Sequence, residues 1–323
     1  MLAMALQHPL LDSLITLTSR FWNAGENGWA QIIIPDAVSV PQIADTPDEV
    51  DEDEQPLVAN ETITFNVIDL VDIIFFPLQP SGGTRVLLRS EYPDLYERLK
   101  IKRSQSPGTG AVVTGQPGIG KTIFLFYLAI ALIMDGEPFA LQIGKRPLFI
   151  VRGPADVQLF NPESADAGVL NGIKWALSDS NAVLGPPPDI FLDPFPPSYV
   201  VQTTLPTQKR WKEWSKQRGA GLIFMKPFNW NEIYFVGTRI ETHPVNPNTL
   251  MEMFTLYGSS AQLCFRLARN EQSRIDWERD IIPTLRNIPN LAGLVENVLQ
   301  TTADEVSSQI PPPSFLASTS SMK

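Results

Sequence analysis

Hydrophobic and polar positions follow one pattern through the middle of the chain. From residue 108 to about 235, short apolar runs such as AVVT, FALQIG, RPLFIVRG and SYVVQTT alternate with segments of helical spacing. Strands that are buried on both faces are typically continuous apolar runs, and helices between them imply parallel pairing. The pattern therefore predicts an α/β fold with a mainly parallel sheet between helices.

The pattern changes on either side of this region. On its C-terminal side, the apolar positions recur at helical spacing only, and the chain then ends in a Ser- and Pro-rich segment whose composition indicates disorder. Before it lie apolar segments that predict a helix and strands, around an acidic stretch that predicts a loop. The predicted organisation is an N-terminal segment at 1–83 with an acidic loop at 36–60, and a core at 84–245. A small C-terminal helical subdomain at 246–305 and a disordered tail at 306–323 follow.

Two segments inside the core give specific local predictions. ADAGVLNGIKWALSD, residues 165–179, has a spacing that predicts a helix. PPPDIFLDP, residues 186–194, has a short apolar run that predicts a buried strand ending at Asp193. In a parallel sheet, that strand would carry Asp193 to the edge where the other strands end.

The clearest motif lies in GAVVTGQPGIGKTIFLFYLAIALIMDG, residues 110–136. An apolar strand leads into G-x-x-x-x-G-K-[ST], the Walker A pattern, and an apolar helix follows it directly. Glycines let backbone N–H groups converge on a phosphate, and the start of the helix adds its positive dipole end. The predicted phosphate loop comprises Gly115, Gln116, Pro117, Gly118, Ile119, Gly120, Lys121 and Thr122.

A loop of this kind needs a cation, a hydroxyl and an acid. Lys121 is predicted to contact the β- and γ-phosphates in a catalytic role, and Thr122 to offer its hydroxyl to Mg²⁺. Asp193 is the predicted partner acid, with a metal-binding and catalytic role. Many hydrolysing proteins with a Walker A loop place Glu directly after that acid, whereas here Pro194 follows. Either another acid such as Asp189 serves, or hydrolysis is slow, or the nucleotide is bound without much turnover.

Further polar residues are candidates for the γ-phosphate. Thr203 or Thr204, at the end of SYVVQTT, could place a polar group near the γ-phosphate from the strand that follows the predicted acid. Arg210, Arg218 and Arg266 are candidates for a guanidinium that stabilises the spread negative charge of the transition state.

Charge and composition narrow the partners. Of the net charge of −10, residues 1–60 contribute ten acids and one base, so the rest of the chain is nearly neutral. A nucleic-acid partner stays open but is not indicated by this charge. The apolar run 123–134 spans about 18 Å as a helix, too short for a bilayer core of about 30 Å, so no membrane partner is expected. The single Cys264 fits an intracellular protein, cytoplasmic or nuclear.

A family resemblance rests on three segments: VLLRSEYPDLYERL, VVTGQPGIGKTIFLFYL and RWKEWSKQRGAGLIFMKPFNWNEI. They resemble the P-loop NTPase region of fungal Crinkler-like proteins, also called retrotransposon-hot-spot-like, over roughly residues 84–270. The resemblance implies the additional-strand branch of P-loop ATPases. Two features depart from the family. YGSSAQ at 257–262 stands where relatives tend to carry a Gly-Gly-x-Pro-Arg-like segment. Family members often join the NTPase region to a C-terminal nuclease-like domain, which is not expected here because too few residues follow.

The motifs together predict a nucleotide-binding protein with ATP and Mg²⁺ as cofactors, since no guanine-reading Asn-Lys-x-Asp motif occurs. Three functions stay open. The first is a Mg²⁺-dependent ATPase that acts as a switch or motor module. The second is a nucleotide-binding scaffold or effector-like protein with weak or no hydrolysis. The third is a small-molecule kinase. The first two imply a protein partner that the sequence does not identify.

Overall fold

The structure is a computed structural model that describes residues 8–42, 60–70, 73, 84–144, 147–180, 185–193 and 198–286. The chain divides into two units, Met1–Arg269 and Asn270–Lys323. The first unit holds both sheets and also the first helices of the predicted helical subdomain, as far as Arg269. The predicted disordered tail lies outside the described residues.

The helices are α1 (Pro9–Phe21), α2 (Gly25–Ile32), α3 (Glu91–Gln105), α4 (Lys121–Met134), α5 (Asp189–Leu192), α6 (Lys212–Arg218), α7 (Trp230–Phe235), α8 (Pro247–Tyr257), α9 (Ala261–Arg269) and, in the second unit, α10 (Glu271–Arg286). The strands are β1 (Ile33–Pro41), β2 (Asn60–Asp69), β3 (Arg85–Leu87), β4 (Gly110–Thr114), β5 (Phe139–Ile143), β6 (Leu148–Gly153), β7 (Asp156–Phe160), β8 (Trp175–Asp179), β9 (Tyr199–Thr203) and β10 (Gly221–Phe224). Within the described residues, no helix is both long enough and apolar enough to span a membrane.

The central sheet has the strand order β10-β4-β9-β8-β5-β6-β7. The first five strands in this order run parallel, and β6 and β7 continue the sheet antiparallel. The predicted α/β fold with a mainly parallel sheet is confirmed. Strand β9 lies between β4 and β8, so the carboxyl ends of these three strands are neighbours at one edge of the sheet.

Helix α4 explains the long apolar run that follows the loop. It packs on β5, β8 and β9 on one side and on α1, α2 and α3 on the other. Its residues from Phe124 to Met134 are all buried. A helix that is covered all round needs apolar residues all round, and it gives the loop at its amino end a rigid support.

A second, three-stranded antiparallel sheet has the order β1-β2-β3. It packs against α7, where the rings of Phe65 and Phe235 stack at 4.5 Å and Trp230 donates to the carbonyl of Pro41 at 2.7 Å. The pairing of Pro41 with Asn60 closes this hairpin. The acidic loop predicted at 36–60 therefore begins too early, because β1 continues to Pro41; residues 43–59 lie outside the described residues.

Two local predictions in the core are wrong. Residues 165–179 do not form a helix: a short 3-10 turn at Ala167–Leu170 leads into β8. Strand β8 is buried along its whole length between β5 and β9, so it shows no alternation of apolar and polar residues. The run Asp189–Leu192 is a short helix and not a strand; Pro188 precedes it and Asp189 lies in its first turn, which suits a helix start.

Candidate nucleotide-binding site

The loop between β4 and α4 is compact and depends on its glycines. Gly115, Gly118 and Gly120 have positive φ angles of 147°, 76° and 86°. A Cβ atom on Gly115 would lie 2.6 Å from the side chain of Ile119 and 3.0 Å from the backbone oxygen of Met225. A residue with a side chain therefore cannot replace Gly115 without a steric clash. A loop with so little side-chain bulk lets a phosphate approach the backbone closely.

Lys121 lies across the beginning of the loop. Its Nζ donates to the backbone oxygen of Gly115 at 2.8 Å and to that of Gln116, and the residue is only 8% exposed. Burial lowers the pKa of Lys121 to about 8, although the nearby carboxylate of Asp179 opposes the shift. The loop thus carries a partly desolvated ammonium group, which an anion would stabilise.

The acid that the structure pairs with Thr122 is Asp179, the last residue of β8. Thr122 donates its hydroxyl to Oδ2 of Asp179 at 3.0 Å, and Thr203, the last residue of β9, donates to Oδ1 at 2.7 Å. Burial raises the pKa of Asp179, against the opposing effect of these two hydrogen bonds and of Lys121. A carboxylate, two hydroxyls and an ammonium group therefore meet at the carboxyl edge of the sheet.

Asp193 lies at the other edge of the sheet. It follows α5, and its backbone oxygen accepts a hydrogen bond from Arg218 at 2.9 Å; the same guanidinium donates to Ser198 at 2.8 Å. Ser198 comes directly before β9, whereas Thr203 ends it, so the two residues are about 16 Å apart along the strand at roughly 3.3 Å per residue. The predicted approach of Asp193 to Thr122 is therefore corrected, and Asp179 takes that position.

The remaining sequence candidates divide by location. Thr203 lies in the site. The backbone N–H of Thr204 donates to the backbone oxygen of Val113 in β4. The hydroxyls of Thr204 and Thr114 are buried and make no hydrogen bond to the described residues. Arg218 binds carbonyls at the far edge of the sheet. Three other candidates lie on separate elements: Asp189 on α5, Arg210 at the end of the 3-10 turn before α6, and Arg266 on the exposed side of α9.

A buried amide that was not among the sequence candidates connects the site to α6. Gln202 is fully buried in β9; it accepts from Trp214 at 2.7 Å and donates to the hydroxyl of Ser180 and to the backbone oxygen of Gly185. Ser180 directly follows Asp179. The polar Gln within an otherwise apolar strand sequence was the signal available, because a buried amide requires partners.

The turn between α8 and α9 covers part of the loop. Ser260 donates its hydroxyl to the backbone oxygen of Pro117 at 3.0 Å. A Cβ atom on Gly118 would lie 2.7 Å from Cβ of Gln262. The segment YGSSAQ, which lacks the arginine expected from the family resemblance, is therefore in direct contact with the predicted phosphate loop.

Comparisons with known proteins add little to this geometry. No family model matches the chain, and no curated protein matches it. Among solved structures, it is similar to the Thermotoga maritima RuvB Holliday junction branch migration motor, with 11% sequence identity and a TM-score of 0.31 over 64% of this chain and 68% of that chain. A likeness at this level carries no weight for function.

Proposed function

We propose that this protein binds a magnesium complex of a nucleoside triphosphate, ATP by preference, between the loop 115–122 and Asp179. The observation that carries the proposal is the hydrogen bond from Thr122 to Asp179, beside the buried ammonium of Lys121. Carboxylate and hydroxyl oxygens are ligands that Mg²⁺ prefers, and an ammonium group complements phosphate.

The residues present fit both groups. Thr122 would bind Mg²⁺ directly, and Asp179 would hold it directly or through water. The buried hydroxyls of Thr114, which ends β4, and Thr204, which directly follows β9, make no hydrogen bond to the described residues and would find acceptors in a bound phosphate. When bound, Mg²⁺ offsets phosphate charge; the chain itself supplies the compact glycine loop, the ammonium group and the paired carboxylate.

We further propose that the fold belongs to the additional-strand branch of P-loop NTPases. Its support is the strand order, in which β9 lies between the loop strand β4 and the acid-bearing strand β8, and the position of Thr203 beside Asp179. The relationship to Crinkler-like proteins stays a proposal, supported by the three segments of similar sequence.

Weak hydrolysis is the better-supported form of this activity. The residue that follows Asp179 is Ser180, which has no carboxylate to orient an attacking water, and its hydroxyl donates to Gly185 at 2.7 Å. Asp179 is therefore, like Asp193, not followed by the glutamate that orients water in many hydrolysing proteins. We infer that the protein is a nucleotide-binding switch or scaffold with slow turnover, in preference to a motor. No described residue supports the kinase alternative specifically.

Calorimetric titration of Mg-ATP and Mg-GTP into the wild-type protein tests the binding proposal. Lys121→Ala and Thr122→Ala should each weaken Mg-ATP binding by at least about tenfold, the loss of one charge-assisted contact. Lys174→Ala is the matched control, because Lys174 pairs with Glu137 and precedes β8, at the far edge of the sheet. If neither Mg-ATP nor Mg-GTP binds at millimolar concentration, the proposal is refuted.

Phosphate release under saturating Mg-ATP tests the turnover proposal separately. We expect a rate far below the ~10 s⁻¹ that is typical of enzymes. A rate on that order, abolished by Lys121→Ala, would show that the protein is an efficient ATPase after all.

A further inference from the structure

We propose that Arg89 and Tyr92 are positioning residues, which together aim two backbone N–H groups of the phosphate loop at the bound phosphates. Both residues precede the loop in the chain: Arg89 lies two residues before α3, Tyr92 lies in its first turn, and neither belongs to the Walker A pattern. We call them the Arg89–Tyr92 brace. The inference rests on the proposed nucleotide-binding function.

Arg89 makes a hydrogen bond with every N–H of its guanidinium group. It is 4% exposed and donates to the backbone oxygens of Ile119 at 3.3 Å, Lys226 at 3.1 Å and Pro227 at 2.9 Å. Its other two donors bind the carboxylate of Glu232 at 3.0 and 3.2 Å. A guanidinium offers five donors in a fixed plane, so this arrangement leaves no freedom to rotate.

The partners of Arg89 are themselves fixed. Glu232 forms a reciprocal capping box with Asn229 at the start of α7, with hydrogen bonds of 2.8 and 3.0 Å. The ring of Phe228 lies 4.3 Å from the guanidinium carbon, in a cation–π contact. The hydrogen bond to Ile119 therefore connects the loop to a rigid support on α7.

Tyr92 holds the next carbonyl of the loop. Its hydroxyl donates to the backbone oxygen of Gly120 at 3.3 Å, and the residue is 1% exposed. The same hydroxyl lies 2.7 Å from where a Cβ atom of residue 120 would be. The backbone N–H of Tyr92 donates to Arg89 at 3.0 Å, so the two parts of the brace are directly connected.

The planarity of the peptide bond explains how these contacts orient backbone N–H groups of the loop. In a planar trans peptide, the C=O of one residue and the N–H of the next point in opposite directions. Holding the carbonyl of Ile119 from behind directs the N–H of Gly120 forward, and holding the carbonyl of Gly120 does the same for the N–H of Lys121. These two N–H groups begin α4, where the helix dipole also favours an anion.

Two conservative substitutions with matched controls test the brace. Arg89→Lys keeps the charge but loses the fixed plane of donors; Arg218→Lys makes the same change at an arginine that binds the carbonyls of Leu192, Asp193 and Ser198 at the far edge. Both should lower the melting temperature. Only Arg89→Lys should weaken the binding of Mg-ADP and of inorganic pyrophosphate, by about tenfold, the loss expected from one charge-assisted hydrogen bond.

Tyr92→Phe removes a single oxygen and is the milder test. It should weaken pyrophosphate binding by roughly threefold, as for one neutral hydrogen bond. Its control is Tyr199→Phe, because the buried hydroxyl of Tyr199 makes no hydrogen bond to the described residues. That control should bind pyrophosphate like the wild type.

The outcomes separate the brace from the proposed function. If the wild-type protein binds none of Mg-ATP, Mg-ADP and pyrophosphate, the nucleotide-binding proposal is refuted and the brace falls with it. If the wild type binds them and folded Arg89→Lys and Tyr92→Phe variants bind equally well, only the brace is overturned. If Arg89→Lys does not fold, Tyr92→Phe against Tyr199→Phe decides alone.

Discussion

The replacement of Asp179 by Asn distinguishes the acid found in the structure from the one that the sequence suggested. Asp179→Asn should weaken the binding of Mg-ATP, whereas Asp193→Asn should leave it unchanged. Asp193 lies beyond the amino-terminal end of β9, beside Arg218, while Asp179 accepts from Thr122 and Thr203. The two substitutions are chemically identical and differ only in which edge of the sheet they change.

The expected magnitude depends on the contacts of the carboxylate. Each oxygen of Asp179 accepts one hydroxyl, whereas Asn offers one acceptor oxygen and an NH₂ group, so one hydroxyl must turn round. Loss of such a supporting carboxylate typically costs 10- to 100-fold in metal affinity, or about 1.4 to 2.7 kcal/mol. Without Mg²⁺, the variant should bind ATP as well as the wild type or better, because a negative charge near the phosphates has been removed.

The stability of the variant should move in the other direction. Burial raises the folded-state pKa of Asp179 above 3.8, so its contribution to stability is present below that pH and is lost as pH rises through the raised pKa. At pH values above the raised pKa, the buried charge of Asp179 therefore costs stability that a neutral Asn does not cost. Asp179→Asn should melt at the same temperature as the wild type or higher.

Calorimetry with and without Mg²⁺, beside thermal melting, measures all three effects. A Mg²⁺-dependent loss of affinity in Asp193→Asn, with wild-type binding in Asp179→Asn, would contradict the assignment and restore the original acid. Equal losses with and without Mg²⁺ in Asp179→Asn would show that the residue supports the loop and not the metal.

Because burial lowers the pKa of Lys121 to about 8, Mg-ATP affinity should fall as pH rises above about 8, while the free energy of unfolding should rise, since the unfolded lysine keeps its proton until about 10.5. Titrations and melts at several pH values check both trends, and a Lys121→Arg variant should flatten the first. Gly118→Ala should melt lower than Gly172→Ala, because both have φ near +80° but only Gly118 faces another side chain, that of Gln262 at 2.7 Å; equal melting temperatures would contradict the contact. Trp214→Phe should lower the free energy of unfolding by about 1–3 kcal/mol, because it leaves the buried oxygen of Gln202 without its donor, and chemical denaturation would detect this.

The α/β class and the position of the glycine loop between β4 and α4 could be predicted from the sequence alone. Strand β4, the glycines of the loop and the apolar helix α4 are neighbours along the chain, and their pattern is dense enough to be recognised locally. The sequence also pointed to Thr203 or Thr204, because a polar residue at the end of an apolar strand is visible without knowing its neighbours.

Which acid and which supporting residues meet the loop depends on the packing of distant parts of the chain. The Thr122–Asp179 hydrogen bond joins residues 57 positions apart, and the Arg89–Glu232 pair joins residues 143 apart. Strand β8 is buried on both faces, so nothing in its local pattern distinguished it from a helix, and its acid was missed. Which distant strand ends become neighbours is set by the order in which strands pack into the sheet, a collective result of burial that no local stretch encodes.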